Sequence, residues 1–148
     1  MKGLTGGKLA VLAVVAVAVT IVATVLLNRP APAAQLPDKL SVGMHTKDYA
    51  VSFRMDPLAP GRHTVEVKLG DHDGTPLPAE PKIDLTAYRS GDDTSKHTIA
   101  GTYLGEGRYQ FDQVLISQPG AWFFELQVME PGAPEPKQVK LDFEVPNR

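Results

Sequence analysis

The chain divides into one long apolar run and a remainder in which apolar and polar residues alternate. Residues 9–27 read LAVLAVVAVAVTIVATVLL and contain no charged side chain. An α-helix of this length spans about 28 Å, which is close to the thickness of the hydrocarbon core of a bilayer. The pattern therefore predicts a transmembrane helix over 9–27.

The charges beside this run predict its orientation. Lys2 and Lys8 precede it without any acidic residue, and positively charged residues stay on the cytoplasmic side of a membrane. We therefore expect residues 1–8 to form a cytoplasmic stub and the chain to be a single-pass protein of the cell membrane. The part that follows the helix would then be extracytoplasmic.

A cleaved signal peptide is the alternative interpretation of the N-terminal segment. Residues 31–35, APAAQ, include small side chains that suit a signal peptidase, although prolines beside the cleaved bond hinder it. The apolar run is longer than the roughly 7–15 residues typical of a signal peptide, which favours an uncleaved signal-anchor. Both interpretations export the same domain, which follows a semi-extended tether rich in proline and alanine over 28–41.

The exported part is predicted to be all-β. Short segments alternate apolar and polar residues with the two-residue period of a half-buried strand. Turn residues such as Pro60-Gly61, Asp73-Gly74 and Gly105-Glu106-Gly107 separate them. About seven such strands, without a sustained helical period, predict an immunoglobulin-like β-sandwich over 42–148. The predicted strands are 49–56, 64–69, 82–87, 98–104, 108–115, 122–128 and 139–145.

Alternation along the strand over 122–128 separates inward from outward side chains. Trp122 and Phe124 are predicted to face the core, and Phe123 is predicted to point the opposite way. Aromatic side chains anchor protein interfaces, so Phe123 is a candidate residue of a partner surface. The alternative is that Phe123 packs under a neighbouring loop or near a sheet edge.

The composition limits the chemistry that the chain can perform. The net charge is −2, and the positive residues of the N-terminal segment leave the exported part mildly acidic, which argues against nucleic acid as a partner. The absence of cysteine excludes thiolate zinc sites, iron–sulfur clusters and cysteine nucleophiles. The sequence contains no G-x-S-x-G motif, and its serines have no recognisable base and orienting residue. We therefore expect a protein that is not an enzyme.

Four sequence segments resemble the YtkA-like domain. Residues 60–69 and 71–77, PGRHTVEVKL and DHDGTPL, are similar to the opening strand and turn of that family. Residues 107–111 and 119–126, GRYQF and PGAWFFEL, are similar to its G-x-Y and G-x-W strands. The resemblance covers about 49–128.

This resemblance carries expectations about function. FixH-like membrane proteins also join one N-terminal anchor to a domain of this kind, and the same sandwich resembles modules attached to bacterial copper-handling proteins. The resemblance implies an accessory domain that binds a protein partner in copper homeostasis, or in the assembly of a membrane transporter or oxidase. The family often carries a Met-rich M-x-x-M-x-H segment, where this chain has His97 and no methionine within 88–97.

A copper-binding or copper-delivery module is the alternative function. Copper outside the membrane is held by methionine thioether and histidine imidazole, and Met44-His45 is the best local pair of such donors. Adjacent residues of an extended chain face opposite sides, so this pair needs a turn to converge. His97, in a polar loop, is a further candidate, whereas His63 is expected at a half-buried strand end.

The segment DHDG over 71–74 is a further candidate for a metal loop. It resembles part of a calcium loop, but the remaining ligands and the closing glutamate are missing. We predict a turn there, with His72 exposed.

Overall fold

The structure, a computed structural model, describes residues 36–148. The predicted cytoplasmic stub, the transmembrane helix over 9–27 and most of the predicted tether lie outside the described residues. Among residues 36–148 there is no helix with the length and apolarity needed to cross a membrane.

The described residues form nine antiparallel strands in two sheets. One sheet has the strand order β1-β2-β3-β7-β6 and the other has the order β5-β4-β8-β9. The expected all-β sandwich is confirmed, while its assignment to the immunoglobulin-like class remains a prediction. The strands are β1 (Leu40–His45), β2 (Ala50–Met55), β3 (Gly61–Gly70), β4 (Lys82–Arg89), β5 (Asp92–Ala100), β6 (Thr102–Gly105), β7 (Arg108–Ile116), β8 (Gly120–Met129) and β9 (Lys137–Val145).

The core lies between the two sheets and is filled by the inward rows that alternation predicted. Phe53 on β2 stacks on Phe124 on β8, with ring centroids 6.2 Å apart. Trp122 is 1% exposed, and its indole N–H donates a hydrogen bond of 2.9 Å to the carbonyl of Gln118. The predicted burial of Trp122 and Phe124 is confirmed.

Two strands differ from the predicted set. β1 occupies Leu40–His45, where no strand was predicted, and its first two residues fall within the predicted tether over 28–41. β5 begins at Asp92 and includes the residues that were expected to form a polar loop, so that prediction was wrong. β5 is an edge strand with mostly exposed or half-buried side chains, and it therefore lacks the apolar row by which the other strands were recognised.

The predicted strand over 98–104 is divided at Gly101, where the chain passes from one sheet to the other. The N–H of Gly101 donates to the carbonyl of Ile83 at 2.9 Å. A Cβ atom at this position would lie 2.9 Å from the ring of Phe111, so any larger residue would collide with the core. Glycine is therefore required by the close approach of the aromatic ring.

Candidate functional site

Met44 and His45, the candidate metal ligands, lie at the end of β1. They pair with Val51 and Ala50 of β2. The Met44 side chain is half-buried and packs against the core, whereas His45 is exposed on the outer face of the five-stranded sheet. Because β1 remains extended through His45, the two side chains leave opposite faces of the sheet, and the structure does not bring them together.

His72 lies beside His45 instead. Their imidazole rings meet edge to face, with centroids 6.3 Å apart and an angle of 75° between the ring planes. Both side chains are exposed. Sequence reasoning placed His72 correctly in an exposed turn but missed this neighbour. The missing information is the strand register, in which His45 lies opposite Ala50 and Ala50 lies opposite Gly70, two residues before His72.

The turn that carries His72 is held by the side chain of Asp71. The Asp71 carboxylate accepts the backbone N–H groups of Asp73 and Thr75, each at 2.9 Å. The Asp71 carbonyl accepts the N–H of Gly74 at 2.9 Å and that of Ala50 at 3.0 Å. The predicted turn is confirmed, and its carboxylate is engaged by the backbone, which ties the turn to β2.

The same turn folds back onto the end of β3. A Cβ atom at Gly70 would lie 2.8 Å from the carbonyl group of Gly74, so the approach is possible only because residue 70 is glycine. The fold-back borders an open cleft of about 240 Å³, whose lining includes His45, Ser52 and Lys68. The cleft gives solvent and small ligands access to the outer face of β1.

A backbone carbonyl faces one nitrogen of the His72 ring. Its Nδ1 lies 3.4 Å from the carbonyl oxygen of Thr46, in the turn after β1. Because a carbonyl oxygen only accepts, this contact favours the neutral tautomer with the proton on Nδ1 and the lone pair on Nε2. Nε2 is therefore the atom of His72 that is available to a ligand.

The two remaining histidines are engaged elsewhere. His97 lies within β5, where its Nε2 accepts the N–H of Leu115 at 3.1 Å and its Nδ1 lies 2.9 Å from the carbonyl of Ser95. Both of its ring nitrogens are thus bonded to backbone. His63 lies near the start of β3, as predicted, but it is buried rather than half-buried, and its Nε2–H donates to the carbonyl of Ala59 at 2.6 Å.

The described residues contain no ready-made cluster of metal ligands. Within this part of the chain, no three histidine, cysteine, aspartate or glutamate side chains are grouped so that they could hold an ion.

Phe123, the candidate partner-surface residue, lies on the outer face of the four-stranded sheet. Its ring stacks on Tyr88 at 5.1 Å, and the ammonium of Lys140 lies 4.4 Å from its centroid. The Tyr88 hydroxyl donates to Glu125 at 2.7 Å, and a side-chain hydrogen bond with Tyr88 is the main cause that raises the pKa of Lys140. Phe123 is thus half-buried and contacts side chains of its own sheet.

Comparison with known proteins gives one informative similarity. The chain is 27% identical over 111 residues to the copper transport protein CutJ of Bacillus subtilis (strain 168), which covers 73% of this chain and 20% of CutJ. The chain thus spans about a fifth of the length of that relative. No family model matches the chain, and no solved structure matches it significantly.

Proposed function

We propose that this chain is a non-enzymatic accessory domain that works with a protein partner in copper homeostasis. Residues 9–27 would anchor it in the cell membrane, with the sandwich outside the cytoplasm. The partner would be a membrane transporter or a component of oxidase assembly, as the FixH-like resemblance implies.

The similarity to CutJ is the observation that carries this proposal. The matched region makes up 20% of a copper transport protein. The related domain therefore works beside a much larger part of the same molecule. We propose that the domain of this chain likewise works beside a larger copper-handling protein.

The side-chain contacts of the sandwich support an accessory role. Ser95, the serine closest to a histidine in sequence, donates its hydroxyl to the carbonyl of Asp92 and accepts the N–H of Arg89, both at 2.7 Å. His97 has both ring nitrogens on backbone groups. These polar groups stabilise the edge of the four-stranded sheet, which favours a structural use over acid–base or nucleophilic work.

Copper content of cells tests the proposed setting. We expect a host strain without this chain to differ from its parent in copper tolerance and in total cellular copper, and a plasmid copy of the full chain to restore both. Unchanged copper content and tolerance over a range of external copper concentrations would contradict the copper setting.

Photo-crosslinking tests the partner and the surface. A benzoylphenylalanine at position 123 of the full chain should crosslink a membrane protein in intact cells, because it would stand on the outer face of the four-stranded sheet. The same probe at Thr64, exposed on the outer face of the other sheet, is the matched control. Equal crosslinking from both positions would remove the assignment of the partner surface to Phe123.

Direct copper binding or delivery is the second candidate function. The observation that favours it is the pair of exposed imidazoles of His45 and His72, whose ring centroids are 6.3 Å apart. Titration of the full chain with copper separates the two candidate functions. Stoichiometric binding supports a copper-binding module, and no binding leaves the accessory domain as the remaining candidate.

A further inference from the structure

We infer that His45 and His72 are the two protein ligands of a copper(I) site on the outer face of the five-stranded sheet. The inference deepens the proposed role in copper homeostasis and rests on it for the choice of metal. It assigns a ligand role to His72, which the sequence placed in a solvent-exposed turn, and it leaves Met44 out of the site.

The separation of the two rings is compatible with one bridging ion. Bonds of about 2.0 Å from a metal to each imidazole nitrogen let a single ion join rings whose centres are up to roughly 6 Å apart. The observed centroid separation is 6.3 Å. The rings meet edge to face, so joint binding requires at least one of them to turn until both nitrogen lone pairs face the ion, and both side chains are exposed and free to turn in this way.

The sheet surface between the two histidines carries only small side chains. The residues between His45 and the turn across the sheet are Ala50 and Gly70, which carry the two smallest side chains. The side chain of Lys68 also lines the cleft, but it is exposed and long enough to extend into solvent. An ion could therefore approach the space between the imidazoles without displacing a buried group.

His72 is held in the manner of a metal-binding histidine. A ligating imidazole commonly donates its other ring N–H to a backbone carbonyl or a carboxylate, which fixes the tautomer and the ring orientation. The Nδ1–H of His72 lies against the Thr46 carbonyl at 3.4 Å in this way. The backbone of His72 is fixed in turn by the hydrogen bonds around Asp71.

The number of side-chain ligands favours copper(I) over zinc. Copper(I) accepts two-coordinate binding, which the imidazoles of His45 and His72 can supply. Zinc takes four ligands in a tetrahedron, and the described residues contain no group of three histidine, cysteine, aspartate or glutamate side chains that could hold an ion. Of the two aspartates beside His72, Asp71 has a carboxylate that already accepts two backbone N–H groups, and Asp73 is exposed.

Met44 also borders the cleft, but its side chain is directed away from the imidazoles. Its side chain packs against the core on the inner face, while the imidazoles lie on the outer face. A thioether ligand would require the end of β1 to leave its pairing with β2. The inference therefore predicts opposite outcomes for Met44 and His72 variants.

Competition with a chromophoric copper(I) chelator tests the assignment. The full chain in detergent micelles, under argon, should bind one copper(I) ion. His45→Ala and His72→Ala should each lower the affinity at least roughly tenfold, since even the loss of a supporting residue around a metal commonly costs that much. Met44→Leu, which removes the thioether and keeps the packing volume, is the control and should bind as the parent does.

A second readout shows that the loss is local. Both histidines are exposed, so without metal the two alanine variants should melt at the parent temperature. Silver(I), a substitute for copper(I) that does not oxidise in air, should shift the Nε2 resonance of His72 in the parent and leave the ring nitrogens of His97 unshifted.

Three results would overturn the inference. They are parental affinity in both histidine variants, an equal loss in Met44→Leu, and no copper(I) binding by the parent chain. The last result would leave the accessory role standing as long as removal of the chain changes cellular copper. Tight binding by the His45–His72 pair without any cellular copper effect would instead refute the proposed setting and keep the site.

Discussion

Asp71 and Thr75 are joined by two hydrogen bonds that cross the same turn in opposite directions. The N–H of Asp71 donates to the Thr75 carbonyl at 2.8 Å, and the N–H of Thr75 donates to the Asp71 carboxylate at 2.9 Å. The side chain of one residue thus completes a ring that the backbone alone would leave open. The position of His72 depends on this closure, because His72 lies inside it.

Replacement of Asp71 should therefore loosen the turn. Asp71→Ala removes two charge-assisted hydrogen bonds and should lower the free energy of unfolding by about 1–3 kcal/mol, measured by urea denaturation. Asp73→Ala is the control, because this exposed neighbour should change stability by less than about 0.5 kcal/mol. Equal effects of the two variants would contradict the role of the Asp71 carboxylate.

Trp122 should be the most costly side chain of the core to truncate. Trp122→Ala leaves a large cavity between the sheets and should cost roughly 3–5 kcal/mol, whereas a domain of this size has about 5–15 kcal/mol in total. The variant should be barely folded in a urea titration. An emission maximum typical of water-exposed tryptophan in the native protein would contradict the burial on which this rests.

Two buried tyrosines predict a loss of stability at alkaline pH. Burial, followed by the charge of Glu80, raises the pKa of Tyr109 to about 12. Burial, and then the hydrogen bond and charge of Glu130, raise the pKa of Tyr49 well above its usual range. An unfolded tyrosine ionises near pH ~10. Above that pH the unfolded chain releases protons that the folded chain retains, so the free energy of unfolding should fall.

A tyrosine variant isolates this effect. Tyr109→Phe removes the titrating hydroxyl and should flatten part of the decline in unfolding free energy between pH 9 and 11, measured by urea denaturation at each pH. The variant also loses the hydrogen bond to the Pro81 carbonyl, so it should be less stable than the parent at neutral pH. An identical alkaline slope in parent and variant would refute the assignment.

Membrane attachment is expected to depend on residues 9–27 alone. The full chain should pellet with membranes and resist extraction by carbonate, because it carries an apolar run long enough to span the bilayer. A chain that starts at Gln35 should be soluble and monomeric. A mature N-terminus near Ala34 or Gln35 in the exported fraction would show that the segment is a cleaved signal peptide.

The alternation of apolar and polar residues predicted most of the fold, because most strands have one buried face and one exposed face. The inward row of β8 could be identified in this way from Trp122 and Phe124 alone. The first six residues of β5 were not predicted because an edge strand can pair with its one neighbour through polar residues, as Asp92 does with Arg89 and His97 with Ala87 of β4. β1 was not predicted because its pattern of alternating apolar and polar residues is short and directly follows a segment rich in proline.

The candidate site was less predictable than the fold, for a physical reason. Sequence adjacency singled out Met44 and His45, but adjacent residues on a strand diverge. The neighbour that approaches His45 is His72, which is 27 positions further along the chain and comes close through the pairing of three strands. Such proximity depends on register, which the local pattern of residues does not specify.

Gly101 makes the two sheets mechanically dependent on each other. The hairpin β4–β5 ends at Ala100 in one sheet, and the hairpin β6–β7 begins at Thr102 in the other. The one-residue link is too short to let the two sheets move apart. Neither hairpin can therefore detach from its sheet while the other hairpin stays folded. Local opening of one sheet must therefore propagate to the whole sandwich, and we expect optical probes on either sheet to report one common unfolding midpoint.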